Sequence, residues 1–91
     1  MSARPPAKGD LVRVDWLDIQ EDPTGDPDDA TLQRRSSFGL YWERRRDDGH
    51  PVLVTTTTVD EHGASESGYC IYPLACIRKV RVIRRGAAPP R

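Results

Sequence analysis

The sequence predicts an all-β domain of five strands, on three observations. Residues 11–19 alternate, with Val12, Val14 and Trp16 on one face and Arg13 and Asp15 on the other, the period of a half-buried strand. Asp48-Gly49 stands between two strand-like runs, a hairpin signal because a two-residue turn there needs positive φ. No stretch of the chain carries the three-to-four-residue apolar spacing of an amphipathic helix.

The elements follow in order. Residues 1–8 hold Pro5 and Pro6 without periodicity and are expected to be a flexible lead; residues 9–85 form the domain, and residues 86–91 a flexible tail. After the first strand, residues 20–36 hold Pro23, Gly25, Pro27 and the acids Asp22, Asp26, Asp28 and Asp29, and are expected to be one long loop. The second strand resumes with Phe38, Leu40 and Trp42 on one face, and runs through Arg44, Arg45 and Arg46 into the Asp48-Gly49 turn. Trp16, Phe38 and Trp42 thus fall on inward faces, with at least two of them expected in the core, and Tyr41 falls outside. Residues 51–59, rich in valine and threonine, form the third strand. A loop over residues 60–68 leads to a fourth strand at 69–72. Residues 73–76 suit a single 3₁₀ turn, and residues 77–83 close the domain as the fifth strand.

That order, with a long first loop and a 3₁₀ turn before the last strand, resembles an SH3-like barrel over residues 11–83, with the fifth strand returning beside the first; an open antiparallel sheet and an OB-like barrel are the alternatives. The segment that binds proline-rich peptides in SH3 domains has no counterpart: the first strand reads Val14-Asp15-Trp16-Leu17-Asp18 and the third opens Pro51-Val52-Leu53. A narrower resemblance rests on Val12, Val14, Trp16 and Asp18, then Arg35, Ser37 and Gly39, then Tyr72-Pro73 with Ile77 and Val80. These positions are similar to small uncharacterised proteins of tailed phages and prophages, and that resemblance implies a phage or mobile-element product.

With 91 residues, a mean hydropathy of −0.67 and 36% hydrophobic residues, the chain is one small domain without room for a deep cleft beside its core. No apolar run is long enough for a membrane span and no signal-peptide core opens the sequence, so a cytoplasmic location is expected. Two cysteines, Cys70 and Cys76, are too few for a disulfide framework and are expected to be reduced.

Fourteen basic and fourteen acidic residues cancel, which argues against bulk basic nucleic-acid binding. They are nevertheless segregated: residues 47–77 contain no Lys or Arg, and residues 78–91 no Asp or Glu. The candidate partner-binding residues are Asp22, Asp26, Asp28 and Asp29 of the long loop, with Tyr41 as an exposed aromatic and Tyr69 or Tyr72 behind it. The candidate anion-binding residues are Arg34, Arg35, Arg44, Arg45 and Arg46, since guanidinium groups donate paired hydrogen bonds to phosphate. The two arginine clusters lie about 30 Å apart along an extended strand, too far for one small phosphate. Arg78, Lys79 and Arg81 add charge to the fifth strand.

Catalysis finds no arrangement. Asp15 and Asp18 fall on opposite faces, His62 near Ser65 and Ser67 has no ordered acid partner, and no glycine loop cradles phosphate. A non-enzymatic binding module without cofactor or metal is therefore expected. The foremost role is a protein-interaction or assembly function. The alternative is an anion binder that sequesters a nucleotide or holds nucleic acid. The threonine run at residues 55–58 suggests strand pairing between copies, so a homo-oligomer is expected.

Overall fold

The structure is a computed structural model and describes residues 4–57, 63 and 67–86. The sequence readings at Thr58, His62, Ser65 and residues 87–91 lie outside the described residues. Five strands form one antiparallel sheet: β1 (Leu11–Asp18), β2 (Gln33–Asp47), β3 (His50–Thr55), β4 (Cys70–Pro73) and β5 (Ile77–Arg84), in the order β4-β3-β2-β1-β5. One 3₁₀ turn, Pro27–Asp29, sits in the β1–β2 connection, and a second, Leu74–Cys76, joins β4 to β5.

This corrects the expected barrel. β5 does lie beside β1, but β4 and β5 are the two edges of an open sheet, with no pairing between them among the described residues. The 3₁₀ turn carries the chain from one edge to the other without a ladder of hydrogen bonds. The sheet instead folds over on itself, and β2, at 15 residues, belongs to both halves: its first part pairs with β1 and its second with β3.

The core lies between the halves. Val12, Val14, Leu53 and Tyr72 are buried there, with Trp16, Tyr41, Cys70, Leu74, Ile77, Val80 and Val82 packed against them. Burying a valine or leucine side chain contributes about 1.5–3 kcal/mol, so these few residues form the main apolar support of the fold. Trp16 meets Tyr72 edge-on, ring centroids 5.7 Å apart, and its indole Nε1 donates to Ser37 Oγ at 3.0 Å.

β2 turns the opposite face inward from the one its apolar pattern suggests. Val12, Val14 and Trp16 stand opposite Gly39, Ser37 and Arg35, so the inward set is Ser37, Gly39 and Tyr41. Gly39 is the point of closest approach: a Cβ there would lie 2.6 Å from the Thr56 carbonyl oxygen. The pairing with β3 then skips Trp42, a one-residue bulge that reverses the alternation. Tyr41 therefore packs against the core, while Trp42 stays 45% exposed with Lys8 Nζ 4.0 Å above its ring.

Two further differences are local. The expected loop ends early, because Gln33–Ser36 pair with Asp15–Asp18 despite their polarity. β3 lies between β2 and β4, and Thr55 and Thr56 are buried. That removes the threonine run as an edge for pairing between copies; the edges of the sheet are β4 and β5. The β2–β3 hairpin turns as anticipated, with Asp48 at φ 50° and Gly49 at φ 78°.

Asp10 fastens the two ends of the described chain. The residue is 4% exposed, and its carboxylate accepts hydrogen bonds from the Gly86 amide (2.7 Å), the Ala7 amide (3.0 Å) and Arg85 Nη1 (2.9 Å). Burial raises its pKa, but these hydrogen bonds and the guanidinium charge outweigh burial and hold it below the ordinary aspartate value. Arg85 also donates to the carbonyls of Arg4 and Pro5. No helix among the described residues is long and apolar enough to cross a membrane.

Candidate functional site

The outer face of β2, β1 and β5 is where charge collects. Residues that stand opposite one another across antiparallel strands share a face, so Arg13 sits between Phe38 and Arg81, Asp15 between Ser36 and Lys79, and Arg34 beside Leu17. The β1–β5 pairing steps from Asp15↔Lys79 to Trp16↔Ile77, which leaves Arg78 as the extra residue of a bulge. Strict alternation would send Arg78 and Lys79 to opposite faces; both instead line one groove.

That groove, about 460 Å³, is bounded by Arg13, Arg34, Arg35, Arg78 and Lys79, with Asp15, Ser36 and Trp16 completing it. Asp15 is already occupied: it accepts from Ser36 Oγ (2.7 Å) and Arg13 Nε (2.9 Å). The Ser36 hydrogen bond, opposed by burial and assisted by Arg13 and Arg81, holds its pKa below the ordinary value. Arg35 Nε pairs with Asp18 at 2.9 Å. Arg34, Arg78 and Lys79 are exposed and form no ion pair among the described residues. Three uncompensated cations therefore face one depression, reaching it from β2 and from β5.

The other sequence candidates lie elsewhere. Arg44 is exposed opposite Leu53; Arg45 pairs with Glu43 at 3.1 Å; Arg46 donates to the Gly49 carbonyl at 2.8 Å, bracing the hairpin turn. None of the three reaches the groove of Arg34 and Arg35, in keeping with the separation read along the strand. In the acidic loop, Asp22 accepts from the amide and hydroxyl of Thr24, and Asp26 caps the first 3₁₀ turn through the Asp28 amide. Asp28 and Asp29 are exposed in that turn. Tyr41 is not an exposed aromatic, as described above, whereas Tyr69 is 74% exposed and Tyr72 is buried.

A groove of mixed character, about 500 Å³, lies on the other half of the sheet, where Trp42, Tyr69 and Ile71 flank Val54 beside the β4 edge and Arg45, Asp47 and Thr56 add polar surface. Cys70 and Cys76 are free thiols. No group of three or more His, Cys, Asp or Glu side chains is placed to hold a metal ion among the described residues.

Sequence reasoning grouped Arg34 with Arg35 but missed Arg13 and Trp16 as their neighbours. The available signal was the alternation of β1, which puts Arg13 and Asp15 on the polar face; what it lacked was the register that sets β5 beside that face.

No family model, curated protein or solved structure matches this chain. The likeness to tailed-phage proteins thus finds no counterpart and is withdrawn together with the barrel.

Proposed function

We propose that this chain is a non-enzymatic binding protein whose ligand is a phosphate-bearing anion seated on the outer face of β2, β1 and β5. The observation that carries this reading is the convergence of Arg34, Arg78 and Lys79 on one groove, with no ion pair to any of them among the described residues. Exposed like charges held together are unfavourable unless something neutralises them, and guanidinium groups match phosphate oxygens in geometry. Arg13 and Arg35, already oriented by Asp15 and Asp18, form a positive rim.

The test uses inorganic tripolyphosphate at low ionic strength, followed by fluorescence of Trp16, which borders the groove. Binding should weaken steadily as salt is added. The triple variant Arg34→Ala, Arg78→Ala, Lys79→Ala should bind at least about tenfold more weakly, from the loss of charge-assisted hydrogen bonds. Arg44→Ala, Arg45→Ala, Arg46→Ala should bind as the wild type does. Equal binding by the two triple variants would refute the assignment of the groove. If tripolyphosphate does not bind at all, the protein-interaction reading takes precedence, supported by exposed Trp42, Tyr69 and Ile71 beside the β4 edge.

A further inference from the structure

Resting on that reading, we infer that the anion is a linear one, a single nucleic-acid strand that runs along β5, not a free nucleotide or an isolated phosphate. The basic groove does not stand alone. A second groove of about 410 Å³ flanks the other end of β5, lined by Arg81, Arg84 and Arg85 with Val80, Val82 and Ile83, and closed by Arg4 and Pro6 from the opposite end of the chain. β5 is eight residues long, so at about 3.3 Å per residue the two grooves lie along roughly 26 Å of one strand.

Along that length Arg78, Lys79, Arg81 and Arg84 are all exposed, and β5 carries no acidic residue. Two irregularities in the β1–β5 register set the pattern. The bulge at Arg78 turns it into the first groove beside Lys79, and the step from Leu11↔Arg84 to Val12↔Val82 leaves Ile83 as the extra residue in the second. A small anion fills one groove; only an extended polyanion touches both. Arg85 is committed to Asp10 and to the carbonyls of Arg4 and Pro5, so Arg81, Arg84 and the Arg4 side chain supply the distal charge.

The face suits a single strand. It is three strands wide, about 10 Å between the outer two, and it offers neither a helix nor a projecting ribbon to enter a duplex groove. Aromatic surface lies within it. Phe38 is half-buried on this face opposite Arg13, where a base could stack beside that guanidinium, while Trp16, packed inward against Tyr72, only borders the first groove. Charge on an edge strand also hinders unwanted pairing with another sheet. That role alone would not require the two grooves.

The experiment measures binding of the full chain to fluorescein-labelled oligothymidylates of increasing length, to a duplex of matched length, and to tripolyphosphate. Affinity for single strands should rise with length and level off within about 4–8 nucleotides. The slope of log K against log salt should steepen by about 0.7 for each phosphate contacted. Arg4→Ala with Arg84→Ala should remove the gain from length, lowering affinity for the longer strands about tenfold or more, while tripolyphosphate binds as before. Tripolyphosphate binding without any length dependence, or a duplex bound as tightly as the single strand, would overturn this inference and leave the anion reading standing. A double variant that aggregates yet binds long strands normally would assign these arginines to edge protection and overturn it as well. If neither tripolyphosphate nor any oligonucleotide binds, both proposals fall.

Discussion

Replacing Asp10 by alanine should destabilise the protein by about 2–3 kcal/mol, one of the largest losses available at a polar position in this fold. The magnitude follows from what the carboxylate holds. The amides of Gly86 and Ala7 lose a charged acceptor, at about 1–1.5 kcal/mol each. Arg85 loses a partner too, but its side chain is 35% exposed and keeps the carbonyls of Arg4 and Pro5, so its share is about 0.5 kcal/mol. Relief from burying a charge offsets part of the sum. For a domain of this size the loss corresponds to a drop of roughly 10–20 °C in Tm. Asp10→Asn keeps an acceptor oxygen and should lose about half as much. Because folding lowers the Asp10 pKa, its contribution is present in full above the ordinary aspartate range and disappears as pH falls through and below about 4. Urea unfolding of wild type, Asp10→Ala and Asp10→Asn from neutral pH down to about pH 2 tests both points. A loss under about 0.5 kcal/mol for Asp10→Ala at neutral pH, or an unchanged acid dependence, would refute the reasoning.

Other substitutions probe the core. Gly39→Ala would place a methyl 2.6 Å from the Thr56 carbonyl oxygen and 3.1 Å from Thr55 Oγ1, and because backbone cannot yield cheaply it should cost about 2–3 kcal/mol in urea unfolding; an unchanged midpoint would show that the fold-over has slack. Tyr72→Phe should stay within about 1 kcal/mol of wild type, since the buried hydroxyl makes no well-formed hydrogen bond among the described residues, and a clear destabilisation would reveal one. Burial raises the Tyr72 pKa, so wild-type stability should decline above about pH 10 as the unfolded chain ionises first, and the phenylalanine variant should escape that part of the decline.

Strand positions were legible because they depend on local alternation and turn chemistry. The Asp48-Gly49 turn needs backbone angles that few residues accept, and the short Leu74–Cys76 turn follows a proline. The faces of β2 were not legible. Phe38, Leu40 and Trp42 mimic an inward stripe, but Ser37 is needed inside as the acceptor for Trp16, and only glycine fits at position 39 against Thr56. Those are contacts with strands far away in sequence. The bulge at Trp42 then reverses the parity, a change that no count of alternating residues anticipates. Closure failed for a related reason: pairing β4 with β5 depends on how far the sheet folds over, and strand order alone does not fix that. The candidate site shows the same division. Arg34 and Arg35 were visible as a pair, while Arg13, Arg78 and Lys79 join them only through register and one bulge.

The fastening of Arg85 to Asp10 also determines how the molecule would respond to force. β1 and β5 are antiparallel neighbours, and Leu11 lies opposite Arg84, so a pull applied at residues 4 and 86 loads both strands at the same end of their shared ladder. The hydrogen bonds then bear the load one after another, as in a zipper, where strands pulled from opposite ends would share it. Mechanical resistance in that direction is concentrated in the first few bonds to open. These are the carboxylate of Asp10, the guanidinium of Arg85 and the Gly86 amide, which together act as the clasp on an otherwise easily peeled seam.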